Sequence, residues 1–117
     1  MNSNDPADQS TPAVSYKLCL TTVDSESTAC HLAQEILKQK LVACVNISSR
    51  MTSLYHWQDE ICEDHEFLLM MKTSSQKVAV LETKLLSLHP YEVPEFVVID
   101  IDAGNKKYLN WINSALS

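Results

Sequence analysis

The spacing of apolar residues changes in a definite order along the chain, and this order limits the possible folds more than any other feature. A strand pattern at Tyr16–Val23 precedes a helical pattern that starts after Asp24 or Ser25 and ends near Lys40. Two strand patterns follow and are separated by a turn at Gln58-Asp59. The remaining elements are a helix that starts at Ser74 or Ser75 and stops at Pro90, a strand at Glu95–Ile101, and a short helix containing Tyr108, Trp111 and Ala115.

The resulting order, βαββαβ followed by a helix, predicts an α+β fold. Right-handed crossovers convert this order into a four-stranded antiparallel sheet with two helices on one face, the ferredoxin-like plan. A length of 117 residues fits one domain. We place that domain at residues 16–117, after a disordered tail at residues 1–15 that is rich in Asn, Asp, Pro, Ser and Thr.

Charge and composition exclude several classes of function. The net charge of −6 argues against a nucleic-acid surface or an anionic membrane surface as partner. Gly104 is the only glycine, which excludes the glycine-rich phosphate loops of nucleotide-binding proteins. The first 15 residues contain no Lys, no Arg and no apolar stretch, unlike a signal peptide, so a cytoplasmic location with four reduced cysteines is expected.

The two central strand patterns are too long for a domain of this size. A strand from Leu41 to Trp57 would reach roughly 55 Å, whereas a globule of this length is only about 35 Å across. The hairpin that continues to Thr73 must therefore bend, with Ser48–Arg50 as the place, or extend beyond the domain. An overhanging hairpin leaves strand edges unpaired and favours association with another copy, whereas a bent hairpin is compatible with a monomer.

The predicted topology brings distant polar residues to one end of the sheet. This end collects the end of the first strand, the hairpin tip and the proline-stiffened loop His89–Glu95. It predicts a ligand cleft lined by Tyr55, Trp57, His89, Tyr91 and Glu95. Lys72 lies at the far end of its strand and could reach the cleft only from a neighbouring subunit. The alternative is that the loop is purely structural and that His89 merely ends a helix.

The remaining polar residues of the hairpin are typical of a solvated face: His56, Asp59, Glu60, Glu63, Asp64, His65 and Glu66.

Six segments together resemble the CutA family of divalent-cation tolerance proteins. They are TTVD at residues 21–24, KLVACVNI at 40–47, TSLYHW at 52–57, MKT at 71–73, HPYEVPE at 89–95 and YLNW at 108–111. The resemblance implies a ferredoxin-like subunit in a homotrimer joined through the long hairpins. It also implies a link to copper and other divalent metals. Our leading hypothesis is therefore a metal-responsive binding or signalling role without catalysis.

The resemblance also implies a metal site, but this sequence departs from it. The family's ligands are a Cys near the end of the first strand, a His just before HPY and the Glu of the PE pair. Those positions hold Leu20, Leu88 and Glu95 here, and Cys19 and His89 are each one residue away. A shift of one residue turns a strand side chain to the other face. We therefore expect weak copper binding at Glu95, with His89 and Cys19 contributing only after local rearrangement.

A small enzyme that uses His89 as acid or base is the alternative function. No set of nucleophile, base and orienting group is visible in the sequence, so the binding or signalling role is preferred. The hairpin turn also carries Asp59 where the family usually has Gly, so the geometry of the hairpin tip is expected to differ from that of other family members.

Overall fold

The chain folds as an antiparallel sheet of five strands with two helices on one face, in a computed structural model that describes residues 14–117. Most of the expected tail at residues 1–15 lies outside the described residues. The elements are β1 Tyr16–Val23, α1 Glu26–Lys38, β2 Cys44–Ile47, β3 Met51–Trp57, β4 Glu60–Ser74, α2 Val78–Leu88, β5 Val97–Ile101 and α3 Lys106–Ala115.

The strand order confirms the ferredoxin-like plan. β2, β4, β1 and β5 lie side by side in that order, and every neighbouring pair is antiparallel. β1 pairs with β4 from Tyr16 opposite Ser74 to Val23 opposite Phe67. The first and last strands are therefore neighbours, as the predicted topology requires, and the end of β1 reaches the start of β5.

The main core lies between the sheet and the first two helices. Leu32 and Ile36 of α1 and Leu81 of α2 are fully buried against Leu69 and Met71 of β4. The hydroxyl oxygen of Ser25 caps α1 by accepting a hydrogen bond from the Thr28 amide.

Both helices deviate slightly from the predicted bounds. α1 ends at Lys38, because Lys40 adopts a positive φ of 57° and turns the chain away from the helix axis. At the second helix, Ser74 makes no side-chain capping bond. A short 3₁₀ turn over Ser75–Lys77 leads into α2 instead.

A bulge divides the predicted second strand, so the sheet has five strands instead of four. Residues 48–50 lie opposite only residues 67 and 68, between the pairs Ile47–Leu69 and Met51–Glu66. The Ser48 amide donates to the Leu68 carbonyl, and the Ser48 hydroxyl oxygen accepts from the Leu68 amide at 2.8 Å. These bonds satisfy the backbone where the ladder is interrupted, at the bend predicted for Ser48–Arg50.

Beyond the bulge, residues 51–66 form an overhanging hairpin. Residues 60–66 of β4 pair only with β3, because β1 stops at Val23 opposite Phe67. The molecule measures 55 × 31 × 25 Å, in agreement with an overhang along one axis. Gln58 and Asp59 both have positive φ, 50° and 67°, as a two-residue type I′ turn requires, and Asp tolerates this conformation better than most residues.

The opposite face of the sheet is only partly covered. Since Cys19 and Met71 point into the core, their neighbours on each strand point away from α1 and α2. α3 covers part of this face, where the Lys72 ammonium donates to the Tyr108 hydroxyl at 3.2 Å. Beside it lies an apolar patch that we call the open sheet face, which consists of Leu18, Leu20, Met70, Val97 and Ile99.

Within residues 14–117, no helix has the length and apolar character needed to cross a membrane.

Candidate functional site

A cleft of about 790 Å³ lies where the overhanging hairpin, the end of β1 and the loop between α2 and β5 meet. Its volume falls in the range of about 300–1,000 Å³ that is typical of small-molecule sites. Three aromatic rings line it, those of Tyr55, Trp57 and Tyr91. The other lining residues are Thr22, Asp24, Met51, Ser53, Leu54, His56, Asp64, His65, Glu66, Leu68, Glu92, Val93 and Glu95.

His89 anchors the loop beside the cleft and does not line the cleft itself. Its Nε2 lies 2.9 Å from the carbonyl oxygen of Thr22, and its Nδ1 accepts a hydrogen bond from the Tyr91 amide at 3.1 Å. A carbonyl oxygen can only accept and an amide can only donate, so the ring is the neutral tautomer with the proton on Nε2. Because both ring nitrogens bond to backbone and the side chain is buried, the arrangement does not favour an acid–base or metal-binding role.

Tyr91 continues this chain of contacts toward the hairpin. Its ring packs edge-on against His89, with 4.7 Å between the ring centres. Its hydroxyl donates to Glu66 Oε2 at 2.9 Å. Burial and then the hydrogen bond to Glu66 raise the pKa of Tyr91 above its usual range. The end of β1, the loop and the overhanging hairpin are thus connected through Thr22, His89, Tyr91 and Glu66.

A second tyrosine–carboxylate pair lies within the hairpin itself. The Tyr55 hydroxyl donates to Asp64, which lies diagonally across the ladder because Tyr55 pairs with Cys62. This hydrogen bond is the largest of the effects that raise the pKa of Tyr55 to about 12. Tyr55 and Tyr91 are therefore both neutral at physiological pH, and each hydroxyl donates a hydrogen bond to a carboxylate of β4.

The three expected metal ligands lie in different surroundings. Cys19 is fully buried in the main core, where burial raises the pKa of its thiol to about 11, whereas metal binding requires a thiolate. His89 is bonded to backbone, and Glu95 is exposed at the cleft. Over residues 14–117, no three His, Cys, Asp or Glu side chains are grouped to hold one metal ion. The described residues of the isolated chain therefore do not fit a three-ligand copper site.

Four of the six residues expected at the cleft line it: Tyr55, Trp57, Tyr91 and Glu95. Lys72 lies elsewhere, with its ammonium 5.4 Å from the centre of the Tyr108 ring. Its position opposite Cys44 and Leu18 puts it at the far end of the sheet, as the predicted strand directions require.

Four carboxylates at the cleft were missed as site residues in the sequence: Asp24, Asp64, Glu66 and Glu92. Asp64 and Glu66 were assigned to a solvated face, yet they accept the two tyrosine hydroxyls. The two-residue turn at Gln58-Asp59 was a usable signal. A turn at these two residues places Trp57 opposite Glu60. The same register places Tyr55 opposite Cys62, so Asp64, two residues further along β4, lies diagonally across from Tyr55.

Comparison with known proteins gives a consistent result. The family model described as CutA1 divalent ion tolerance protein matches residues 17–115. The divalent-cation tolerance protein CutA of Thermus thermophilus is 43% identical over 96 residues, covering 82% of this chain and 93% of that protein. Protein CutA of Mus musculus is 36% identical over 120 residues, covering 97% of this chain and 68% of the mouse protein.

A solved structure agrees with the sequence comparison. The crystal structure of divalent ion tolerance protein CutA1 from Ehrlichia chaffeensis superimposes with a TM-score of 0.85 at 32% identity, covering 91% of this chain and 99% of the other. Two of these three names denote divalent-cation or divalent-ion tolerance proteins. Since the family model spans nearly all of the chain and the fold is the same, the chain belongs to the CutA1 divalent ion tolerance family.

Proposed function

We propose that this chain forms a homotrimer with a copper-responsive binding or signalling role and no catalytic activity. The observation that supports the trimer most directly is the overhanging hairpin, because residues 60–66 of β4 have no strand partner other than β3. A two-stranded ribbon alone is only marginally stable in water. Packing against neighbouring copies would stabilise this hairpin.

Two apolar surfaces support association between copies. Ile61, at the hairpin tip and outside the cleft lining, is 74% exposed. On the open sheet face, Val97 and Ile99 are 44% and 43% exposed and lie beside Leu20 and Leu18. Contiguous exposed apolar side chains on a folded subunit are typical of protein interfaces. We propose that the hairpins join the trimer and that the open sheet faces meet inside it.

The mass of the protein in solution tests this proposal directly. Multi-angle light scattering at micromolar concentration should give about three times the subunit mass of 13.2 kDa. A species that stays at 13.2 kDa when the protein concentration is raised tenfold would contradict the trimer, since mass action favours assembly at higher concentration.

We expect one subunit to bind copper only weakly, because its three ligand candidates do not converge. Glu95 is the accessible one, so Glu95→Gln should weaken Cu(II) binding in a calorimetric titration. Cys19→Ser should leave the affinity unchanged, since this thiol is buried in the core and protonated. Glu82→Gln, an exposed carboxylate on α2, is the matched control and should have no effect.

Tight copper binding would count against this assignment of ligands. Submicromolar affinity that persists when Cys19→Ser, His89→Ala and Glu95→Gln are combined would place the copper elsewhere. The hairpin histidines His56 and His65, which line the cleft, would then be the next residues to replace.

A further inference from the structure

The fixed charges around the cleft are all negative, and its two imidazoles are those of His56 and His65. Five carboxylates line it, and no Lys or Arg is among the described residues that do so: Asp24, Asp64, Glu66, Glu92 and Glu95. None of the five takes part in the ion pairs found over residues 14–117, which are Lys17–Asp100 and Lys38–Glu35. A cleft with uncompensated negative charge attracts cations and repels phosphates and other anions. A nucleotide is therefore a poor fit.

The spacing of the carboxylates distinguishes between kinds of cation. A divalent metal needs several ligands within about 2–2.6 Å of one point, and no three potential ligands in the described part of the chain are grouped in that way. Two of the carboxylates, Asp64 and Glu66, are also held by tyrosine hydroxyls. Dispersed negative charge suits a ligand with two or more cationic groups that are themselves spaced apart.

The aromatic side chains provide the apolar part of the site. Tyr55 and Trp57 of β3 are 40% and 39% exposed, and Tyr91 of the loop lines the same cleft. Their rings can cover a methylene chain, and ring faces attract ammonium groups within about 6 Å. These rings point to an organic cation independently of the carboxylates, because a hydrated metal ion gains little from aromatic walls.

We infer that the cleft binds a linear aliphatic polyamine, with its ammonium groups at the carboxylates and its methylene segments along the aromatic rings. The cleft volume of about 790 Å³ accommodates such a ligand in an extended form. This inference rests on the binding or signalling role in the proposed function, and it names the chemical class of a ligand for the cleft.

Calorimetric titration of the full chain with spermidine tests the inference. Wild-type protein should bind spermidine in a saturable manner, and neither a neutral diol of similar length nor ATP should bind. Combining Glu92→Gln with Glu95→Gln should weaken binding roughly tenfold, as expected for the loss of two solvent-accessible ion pairs. Trp57→Leu should weaken binding with no change in net charge.

The control variant combines Glu82→Gln with Asp102→Asn, which removes the same charge at exposed carboxylates outside the cleft lining. Its affinity for spermidine should stay within about twofold of wild type, because an accessible charge beyond a Debye length of about 8–10 Å is screened. Equal weakening in both double variants would mean nonspecific attraction to an acidic protein and would overturn the inference. Absence of saturable spermidine binding would overturn it as well, and so would tighter binding of ATP.

Light scattering on the same samples keeps the two proposals separate. A trimer that does not bind spermidine contradicts only the polyamine site. A monomer that binds spermidine contradicts only the trimer, because all the lining residues named here belong to one subunit.

Discussion

Replacing Val97 by glutamate should convert the proposed trimer into monomers. Val97 lies on the open sheet face beside Leu20 and is 44% exposed in the isolated subunit. In a monomer the new carboxylate would remain in water, so the fold should tolerate it. In the proposed trimer it would be buried without a partner, which costs several kcal/mol for each subunit. Light scattering should show the mass falling from about three times 13.2 kDa to 13.2 kDa.

Val80→Glu is the matched control for this variant. Val80 is the same residue type and is 56% exposed, but it lies on α2, away from the open sheet face. It should leave the mass unchanged. Ile61→Glu tests the hairpin tip in the same assay and should also weaken assembly. If Val97→Glu remains trimeric, the open sheet face is not an interface; if Ile61→Glu remains trimeric, the hairpin tip does not join the subunits.

Replacing His89 by alanine should destabilise the fold and release the loop that carries Tyr91. The variant leaves the Thr22 carbonyl and the Tyr91 amide without their partners at a buried position. The expected cost is about 2–4 kcal/mol of the free energy of unfolding. Urea unfolding at one fixed protein concentration measures it, and hydrogen exchange should show that the Tyr91 amide has lost its protection.

Two further variants distinguish the loss of the loop anchor from a nonspecific loss of stability: the conservative variant His89→Gln and the surface variant His31→Ala. In His89→Gln the side-chain amide can still donate to the Thr22 carbonyl, so we expect about half of the lost stability to return. His31→Ala, on the exposed face of α1, should change stability by less than about 0.5 kcal/mol. A wild-type unfolding midpoint in His89→Ala would show that the ring does not anchor the loop.

Local patterns in the sequence were sufficient for most of the elements. β1 has the predicted bounds, Tyr16–Val23, because alternating and β-branched residues favour a strand without help from distant contacts. Of the two predicted caps of α1, Asp24 and Ser25, the structure uses Ser25, whose hydroxyl oxygen accepts from one of the first amides of the helix. β5 is shorter than predicted and starts at Val97, because the preceding residues belong to the loop held by His89 and Tyr91.

Side-chain surroundings at the cleft depended on contacts that local patterns do not contain. His89 was proposed as a ligand or an acid–base residue, yet it bonds to the backbone of Thr22, 67 positions earlier in the chain. Asp64 and Glu66 looked like solvated residues until the hairpin and the loop placed tyrosine hydroxyls beside them. The same residue types are compatible with either role, and only the partner opposite each one distinguishes them.

The sequence by itself determined the element order, the strand neighbours and the excess length of the hairpin, because periodicity, turn residues and chirality act locally and leave few topologies. The family was indicated by the six segments that resemble CutA proteins. Only the tertiary structure decided that Cys19 faces the core, that His89 bonds to backbone, and that five carboxylates surround one cleft. Those outcomes depend on register and on long-range packing, where a shift of one residue moves a side chain to the opposite face.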